Sequence, residues 1–338
     1  MLTNFQSFTS QKLSLTGYTG AFVTHGIDIL TDPSDSNLLH IFAVNHLPDP
    51  LHWGATDEAH AASPNKTRSQ IEVFRHVLGS TTAEHVRSIL DPMIRTPNDI
   101  FATSPSSFYV TNDHYYRTGH MRLVEEMFTQ YLAGWSETVH VDITDLSPAN
   151  PTEGTHITVA LTGLHNNNGL GRSSPKRPEE VLVVDASGGV LTRAWRSMSP
   201  NGSKQLNIVE HIQYDTTIDN PFWYEDPWAT PDDDASGYVM AGLTRGLELL
   251  ENFDKPDAVV PVTVWYSRRT DEVDQTRGPS HKPWPRRIIF QDDGHKIGTA
   301  SAAVLIGIDP IETGGKKQGW LFVTGFGSEA MVATKVDL

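Results

Sequence analysis

The residues of this sequence that could do chemistry stand where short β-branched runs end. Asn112-Asp113 follows the run FYVT, Asn168-Gly169 ends LTGLHNNNG, and Asp219-Asn220 ends YDTTIDN. Carboxylate and amide oxygens suit Ca²⁺, which takes six to eight oxygen ligands and tolerates irregular geometry. Asn and Asp also cap ordinary turns. The spacing alone therefore leaves a calcium site and a set of plain turn residues as open alternatives.

Composition excludes several other kinds of site. The sequence has no cysteine, which rules out disulfides, thiol nucleophiles and cysteine-ligated zinc. It contains no G-x-S-x-G, H-E-x-x-H, P-loop or G-x-G-x-x-G motif. The net charge of −15 supplies no basic stripe for nucleic acid. Apolar runs are all too short for a transmembrane helix. We therefore expect neither a nucleic-acid partner nor a membrane span.

The elements that must position these residues are predicted to be strands. Apolar segments are short, β-branched and separated by Gly, Pro, Asn and Asp. They fall into five groups, at roughly 20–75, 97–143, 156–196, 206–266 and 285–336. Repeated groups of this kind are typical of propeller blades, whereas one sandwich rarely holds so many strands. The sequence therefore predicts an all-β propeller.

The domain prediction is a polar N-terminal segment, 1–19, followed by a single propeller domain, 20–338. The first residues lack the apolar core of a secretory signal, so no signal peptide is expected in this chain and the compartment stays open. One amphipathic helix is predicted near 118–133. Its apolar positions follow helical spacing and are Val124, Met127, Phe128, Tyr131 and Leu132. We interpret it as an insert covering the propeller mouth rather than as a membrane anchor.

Several segments together resemble the calcium-dependent paraoxonase/arylesterase family of six-bladed β-propellers. The most specific is FYVTNDHYY, and the others are persuasive because they occur in order. The matching segments are VTHGIDIL (23–30), VNH (44–46), PNDI (97–100), FYVTNDHYY (108–116), NNNGLG (166–171), TTIDN (216–220) and the C-terminal ATKVDL. The resemblance implies a six-bladed propeller that binds two calcium ions, one catalytic and one structural.

The resemblance also implies roles for individual residues. Asn112, Asn168, Asp219 and Asn220 match the ligands of the catalytic calcium, and Asp113 matches a ligand of the buried structural calcium. A calcium ion at the first of these sites would polarise an ester or lactone carbonyl and stabilise the oxyanion.

Two histidines match the pair that is proposed to activate water in the family. They are His46, in VNH, and His85, in AEHVRSI. The implied function is calcium-dependent hydrolysis of aryl esters or lactones, with a small ester or lactone as the partner. A sugar-lactonase or strictosidine-synthase-like propeller remains an alternative, as does a catalytically silent binding propeller.

Two features depart from the family pattern. An adjacent Glu-Asp pair, one carboxylate for each calcium, precedes the matched region in the family, but no acidic residue here precedes Asp28. The family's closing disulfide is also missing, with Val336 near the position of its C-terminal cysteine. These departures leave open a propeller that is incomplete at its N-terminus. With Asp219 as its single acidic ligand, the catalytic site is expected to bind calcium more weakly.

Overall fold

The computed structural model describes residues 2–4, 9–49, 67–127, 134–252, 255, 259–268 and 284–338. These residues are nearly all in strands and turns, and the chain divides into two compact units. Unit 1 comprises Met1–Asn167 and Met198–Gln205, and unit 2 comprises Asn168–Ser197 and Leu206–Leu338. No helix in the described part of the chain is long and apolar enough to cross a membrane.

Unit 1 is built from three sheets of the first eleven strands. These strands are β1 (Leu2–Asn4), β2 (Thr9–Gln11), β3 (Ser14–Thr16), β4 (Thr24–Thr31), β5 (Leu38–Pro48), β6 (Thr67–Val77), β7 (Thr82–Ile89), β8 (Pro97–Ser104), β9 (Ser107–Asn112), β10 (Ser136–Ile143) and β11 (Thr155–Leu164). The first two strands pair with each other. The others form a five-stranded sheet in the order β3-β7-β6-β5-β4 and a four-stranded sheet in the order β11-β10-β9-β8.

Unit 2 contains three further sheets, apart from a few terminal strand residues that belong to unit 1. Its strands are β12 (Asn167–Arg172), β13 (Glu180–Asp185), β14 (Val190–Met198), β15 (Lys204–Gln213), β16 (Pro221–Tyr224), β17 (Gly237–Leu243), β18 (Val262–Arg268), β19 (Arg286–Asp292), β20 (Ala300–Ile308), β21 (Gln318–Gly325) and β22 (Val332–Asp337). They form sheets in the orders β12-β13-β14-β15, β16-β17-β18-β19 and β20-β21-β22.

The sheet pattern is that of propeller blades. Apart from the parallel pairing of the short strand β3 with β7, strands that follow each other in the chain pair antiparallel within small sheets. Such consecutive four-stranded sheets are the repeating unit of β-propellers. The described residues form five sheets of three to five strands, the same number as the strand groups in the sequence, although β11, β15 and β19 each belong to the sheet before the group in which the sequence places them. The predicted all-β, propeller-type fold class is therefore confirmed.

One apolar core joins the two larger sheets of unit 1. Phe42 and Val44 on β5, Ile71 on β6 and Phe108 on β9 are all fully buried in it. Burying a side chain of this size stabilises a fold by about 1.5–3 kcal/mol relative to leaving it exposed. The core therefore fixes the ends of β5 and β9 within the same packed unit, which matters because both ends carry predicted site residues.

Within the described residues, two short helices accompany the strands. Helix α1 (His120–Met127) lies inside the predicted helix near 118–133, and the predicted helical positions Phe128, Tyr131 and Leu132 fall outside the described residues. Helix α2 (Leu247–Asn252) was not predicted.

Helix α1 has a local structural role after β9. Its buried Glu125 accepts backbone hydrogen bonds from Tyr115 at 2.8 Å and Tyr116 at 3.1 Å. The helix therefore anchors the chain that follows the Asn-Asp-His end of β9.

Candidate active site

His25 and His46 form a hydrogen-bonded pair between β4 and β5. Nε2 of His46 lies 3.1 Å from Nδ1 of His25, and the two rings meet edge to face. Nδ1 of His46 lies 2.8 Å from Oγ of Ser69, its register partner on β6. A hydrogen bond between two ring nitrogens needs one donor and one acceptor. At least one of the two rings is therefore neutral.

A β-bulge at His25 and Gly26 interrupts the pairing of β4 with β5 beside this histidine pair. Thr24 stands opposite Asn45 and Ile27 opposite Ala43, so β4 has one residue more than β5 over this stretch. Bulges bend a strand and redirect a side chain, and they are frequent beside active sites. The His25 ring lies at this bulge and points towards β5, where it meets the His46 ring.

Burial and a nearby carboxylate set the charge of the pair. Burial, together with repulsion from His25 and Arg117, lowers the pKa of His46 to about 4 overall, and the Asp113 carboxylate opposes this shift. Burial likewise lowers the pKa of His25, again opposed by Asp113. Both rings are therefore neutral at pH 7. A neutral imidazole can accept a proton, which is the property required of a general base.

Asp113 is an ionised carboxylate beside the histidine pair. Its Oδ1 lies 3.1 Å from Nδ1 of His114. Burial alone would raise the pKa of Asp113, but its contacts with His114, Arg122 and Thr96 lower it overall. The structure therefore brings Asp113 together with His25 and His46. Its match to a structural calcium ligand stays a prediction.

The side chain of Asn112 is hydrogen-bonded to backbone groups. Its Oδ1 accepts hydrogen bonds from the backbone of Arg95 at 2.8 Å and Thr96 at 3.0 Å, and its Nδ2 donates to the carbonyl of Met93 at 2.8 Å. Both lone pairs of an amide oxygen are used in this way. The expectation that Asn112 ligates calcium does not fit this arrangement, in which the side chain instead holds the turn before β8.

Three other predicted ligands come together in unit 2. A Cβ atom on Gly169 would lie 2.8 Å from Cα of Asn220 and 3.0 Å from the carbonyl oxygen of Asp219. The glycine therefore lets the start of β12 touch the chain just before β16, which brings the backbone at Asn168 close to that of Asp219 and Asn220. Nδ2 of Asn220 donates to the carbonyl of Ser301 at 3.1 Å.

The chemistry of this group suits a hard cation. One carboxylate and two amides can supply oxygen ligands, which is the ligand class that Ca²⁺ prefers. The described residues contain no group of three or more His, Cys, Asp or Glu side chains that could hold a metal. Any metal here would therefore depend on amide oxygens as well as on Asp219.

The structure does not pair His46 with His85, contrary to the sequence-based expectation. Nε2 of His85 lies 2.9 Å from Oε2 of Glu72, which also receives a hydrogen bond from Ser88 at 2.6 Å. Glu72 bonds in turn to Asn45, the residue before His46. Since successive strand residues face opposite sides of a sheet, His85 lies on the face of Asn45 and His46 on the other. His25, not His85, is the partner of His46.

Sequence reasoning missed His25 although its segment was recognised. VTHGIDIL was among the matched segments, and it carries a histidine directly before a glycine inside a strand pattern. An isolated glycine in a strand indicates a bulge or a close backbone approach. That signal could have placed His25 at an irregular, functionally useful position.

These observations define an all-β, propeller-type protein with a neutral histidine pair beside a carboxylate. Residues 5–225 match the protein family described as Arylesterase. Because the match covers more than half of the sequence, the chain belongs to the arylesterase family. The family resemblance found in the sequence is confirmed.

Curated relatives carry paraoxonase names. The chain is 31% identical over 201 residues to serum paraoxonase/arylesterase 1 of Mus musculus, covering 59% of this chain and 45% of that protein. It is 26% identical over 202 residues to serum paraoxonase/arylesterase 2 of Gallus gallus, covering 60% and 46%. With the human serum paraoxonase/arylesterase 1 it shares 25% over 221 residues, covering 64% and 51%. The chain spans about half the length of the curated relatives it matches.

Solved structures show only a distant likeness. An oxidoreductase of Thermus thermophilus, described as a glucose dehydrogenase, has a TM-score of 0.40 at 15% identity, over 96% of this chain and 86% of that one. The GH32 β-fructofuranosidase of Bombyx mori has a TM-score of 0.39 at 7% identity, over 95% and 60%.

Proposed function

We propose that this protein hydrolyses small esters or lactones, with the His25–His46 pair as the base that activates water. The observation that carries the proposal is the 3.1 Å hydrogen bond between two neutral rings beside an ionised carboxylate. Membership of a family whose relatives are named paraoxonase/arylesterase supports the same reaction class.

The hydrogen bonds define a consistent proton path. If Oγ of Ser69 accepts from Nδ1–H of His46, then Nε2 of His46 is an acceptor and takes the Nδ1–H of His25. Nε2 of His25 is then unprotonated and can take a proton from water as the water attacks the carbonyl carbon. The Asp113 carboxylate stabilises the imidazolium that forms, because it raises the proton affinity of both rings.

Calcium is the second part of the proposal. Asn168, Asp219 and Asn220 would hold the ion with oxygen ligands. When bound, calcium would supply a Lewis acid able to polarise a carbonyl and stabilise an oxyanion. The histidine pair and Asp113 supply water activation and the negative charge near the base.

Hydrolysis assays with matched histidine variants test the proposal. Phenyl acetate and simple γ- and δ-lactones are the substrates, and His25→Gln and His46→Gln should each lower kcat by about 100-fold. His156→Gln is the control because His156 is an exposed histidine on β11, away from these contacts. If both pair variants hydrolyse all substrates at the wild-type rate, the proposed base is wrong.

A binding protein without catalysis is the second candidate. It is favoured by the Asn112 side chain, whose oxygen is already occupied by two backbone amides. Calcium binding without turnover of any ester or lactone would support this candidate. A preference for sugar lactones over phenyl acetate would instead favour the sugar-lactonase type of propeller.

A further inference from the structure

A buried carboxylate lies on the opposite face of the sheet from the His46 ring. Glu72, on β6, is fully buried and receives four side-chain hydrogen bonds. Its Oε1 accepts from Asn45 at 3.0 Å and Gln70 at 2.5 Å, and its Oε2 bonds to His85 at 2.9 Å and Ser88 at 2.6 Å. A buried charge persists in a folded protein when it is satisfied in this way. Glu72 is therefore a fixed anion inside the sheet.

Asn45 connects this anion to the segment that leads into the bulge. Its Oδ1 accepts the backbone N–H of Val23 at 2.8 Å, and its Nδ2 reaches the carbonyl of Ala21 at 3.1 Å and the hydroxyl of Tyr18 at 2.8 Å. The same amide nitrogen donates to Glu72. The carboxylate can only accept, so it forces Nδ2 to its own side and leaves Oδ1 for the backbone of Val23.

Aromatic contacts hold the same segment from its other side. Tyr18 packs edge to face on His85 with ring centroids 5.0 Å apart, and Phe22 packs on Phe74 at 5.6 Å. The backbone N–H of His46 donates to the carbonyl of Val23 at 2.9 Å. Val23 thus bonds to two neighbouring residues of β5, two positions before His25. A shift of this segment would move the His25 ring relative to His46.

We infer that Glu72, acting through Asn45, is a positioning residue that orients His25 for its hydrogen bond to His46. The catalytic meaning of this inference rests on the proposed function, whereas the positioning itself does not. Glu72 touches no reacting atom. It fixes the orientation of the Asn45 amide, and that amide fixes the backbone that precedes the bulge. His85 and Ser88 belong to the support, since they satisfy the other carboxylate oxygen.

The test compares Glu72→Gln with Gln70→Met. In Glu72→Gln the new amide can donate as well as accept, so Asn45 loses the constraint on its orientation. Gln70→Met removes a hydrogen bond to the same Glu72 oxygen, but Gln70 has no hydrogen bond to segment 18–23 among the described residues. We expect Glu72→Gln to lower kcat by about 10-fold or more with little change in KM, and Gln70→Met to change kcat less than twofold.

Histidine ¹⁵N NMR provides a readout that does not need turnover. In the wild type, Nδ1 of His25 and Nε2 of His46 should show one protonated and one unprotonated nitrogen. In Glu72→Gln both should move towards the averaged shifts of exchanging tautomers, while Gln70→Met keeps the wild-type pattern. If Glu72→Gln does not fold, Tyr18→Phe replaces it in the test, because this variant removes the hydrogen bond between Asn45 and the Tyr18 hydroxyl and leaves Glu72 in place. It should shift the same nitrogens in the same direction.

The outcomes separate the two claims. If the wild type hydrolyses nothing, the proposed function fails, and the ¹⁵N shifts still decide the inference. Unchanged shifts and unchanged kcat in folded Glu72→Gln, or in folded Tyr18→Phe where Glu72→Gln does not fold, would overturn it. Equal losses of kcat in Glu72→Gln and Gln70→Met would also overturn it, because they would show a general loss of stability.

Discussion

Gly26 and Asp99 approach so closely that a Cβ atom on Gly26 would stand 2.7 Å from Oδ1 of Asp99. The same atom would lie 2.3 Å from the carbonyl oxygen of Asn98, which is backbone and cannot rotate away. Only glycine therefore lets the bulge of β4 rest on the start of β8. Since β9 pairs with β8 and ends at Asn112, this contact helps to bring the histidine pair near Asp113.

Gly26→Ala should destabilise unit 1 and loosen the histidine pair. Forcing a methyl group into backbone contacts of this kind costs about 1–3 kcal/mol. Urea unfolding would measure the loss, and the hydrolysis rate of the folded variant should fall with it. Gly298→Ala is the control, because a Cβ there meets its nearest atom at 3.7 Å and its φ angle is not positive. Equal stability of Gly26→Ala and wild type would contradict this account of the bulge.

The fold class was predictable because strand signals are local. Short β-branched runs between Gly, Pro, Asn and Asp gave the strands, but the sheet boundaries differ from the predicted groups because β11, β15 and β19 pair with the preceding strands. Helix α2 was missed since it has only six residues, Leu247–Asn252, and so presents less than two turns of periodicity. Strands within a sheet mostly lie in chain order, because neighbouring antiparallel strands need only short connections, and β3, which pairs with β7, is the exception.

The site was only partly predictable, because its geometry depends on register. His46 was identified from the family resemblance of the segment VNH, but its partner depends on a one-residue bulge that places His25 beside it. Because successive residues of β5 face opposite sides of the sheet, Asn45 lies on the face opposite His46. Glu72 and His85 bond on the Asn45 face, so His85 is not the partner of His46. The occupied oxygen of Asn112 could not be foreseen either. Its partners are backbone amides of a turn, and no sequence pattern shows where those point.

The pH dependence of hydrolysis should report the lowered pKa of His25, the ring that takes the proton from water. A base must be neutral, so kcat/KM is retained above its pKa and lost below it. Because burial lowers the pKa of His25 below its usual 6.5, kcat/KM should still be high at pH 6.5 and fall only at lower pH. Initial rates with a neutral lactone would measure this limb, with circular dichroism confirming that the protein stays folded. A half-maximal point near 6.5 would show an ordinary, solvated histidine instead.

Acid should destabilise the protein partly through Glu72. Burial raises the pKa of Glu72, but hydrogen bonds from His85, Ser88, Asn45 and Gln70 lower it overall to about 2. A depressed pKa contributes stability that is complete above the unfolded value, near 4.5, and is lost as pH falls towards 2. The difference corresponds to roughly 3 kcal/mol.

Glu72→Gln cannot titrate at this position, which makes it the comparison for that prediction. Urea unfolding at pH 7, 4.5 and 3 should show the wild type losing stability faster than the variant below pH 4.5. The stability gap between the two proteins should therefore narrow as the pH falls. A gap that stays constant from pH 7 to pH 3 would mean that Glu72 is not held as an anion.

Calcium binding should depend on Asp219, because it is the single carboxylate among the three residues that meet at the starts of β12 and β16. Isothermal titration of chelator-stripped protein should show a site that is lost, or weakened by at least about 10-fold, in Asp219→Asn, which keeps the shape of the side chain and removes its charge. Asp215→Asn removes the same charge from a position four residues earlier and should leave binding unchanged. If both variants bind calcium equally, the ion is attracted by net charge and not held by Asn168, Asp219 and Asn220. Loss of binding in Asp219→Asn alone would instead identify these oxygens as the site, and a parallel loss of hydrolysis would connect the ion to the reaction.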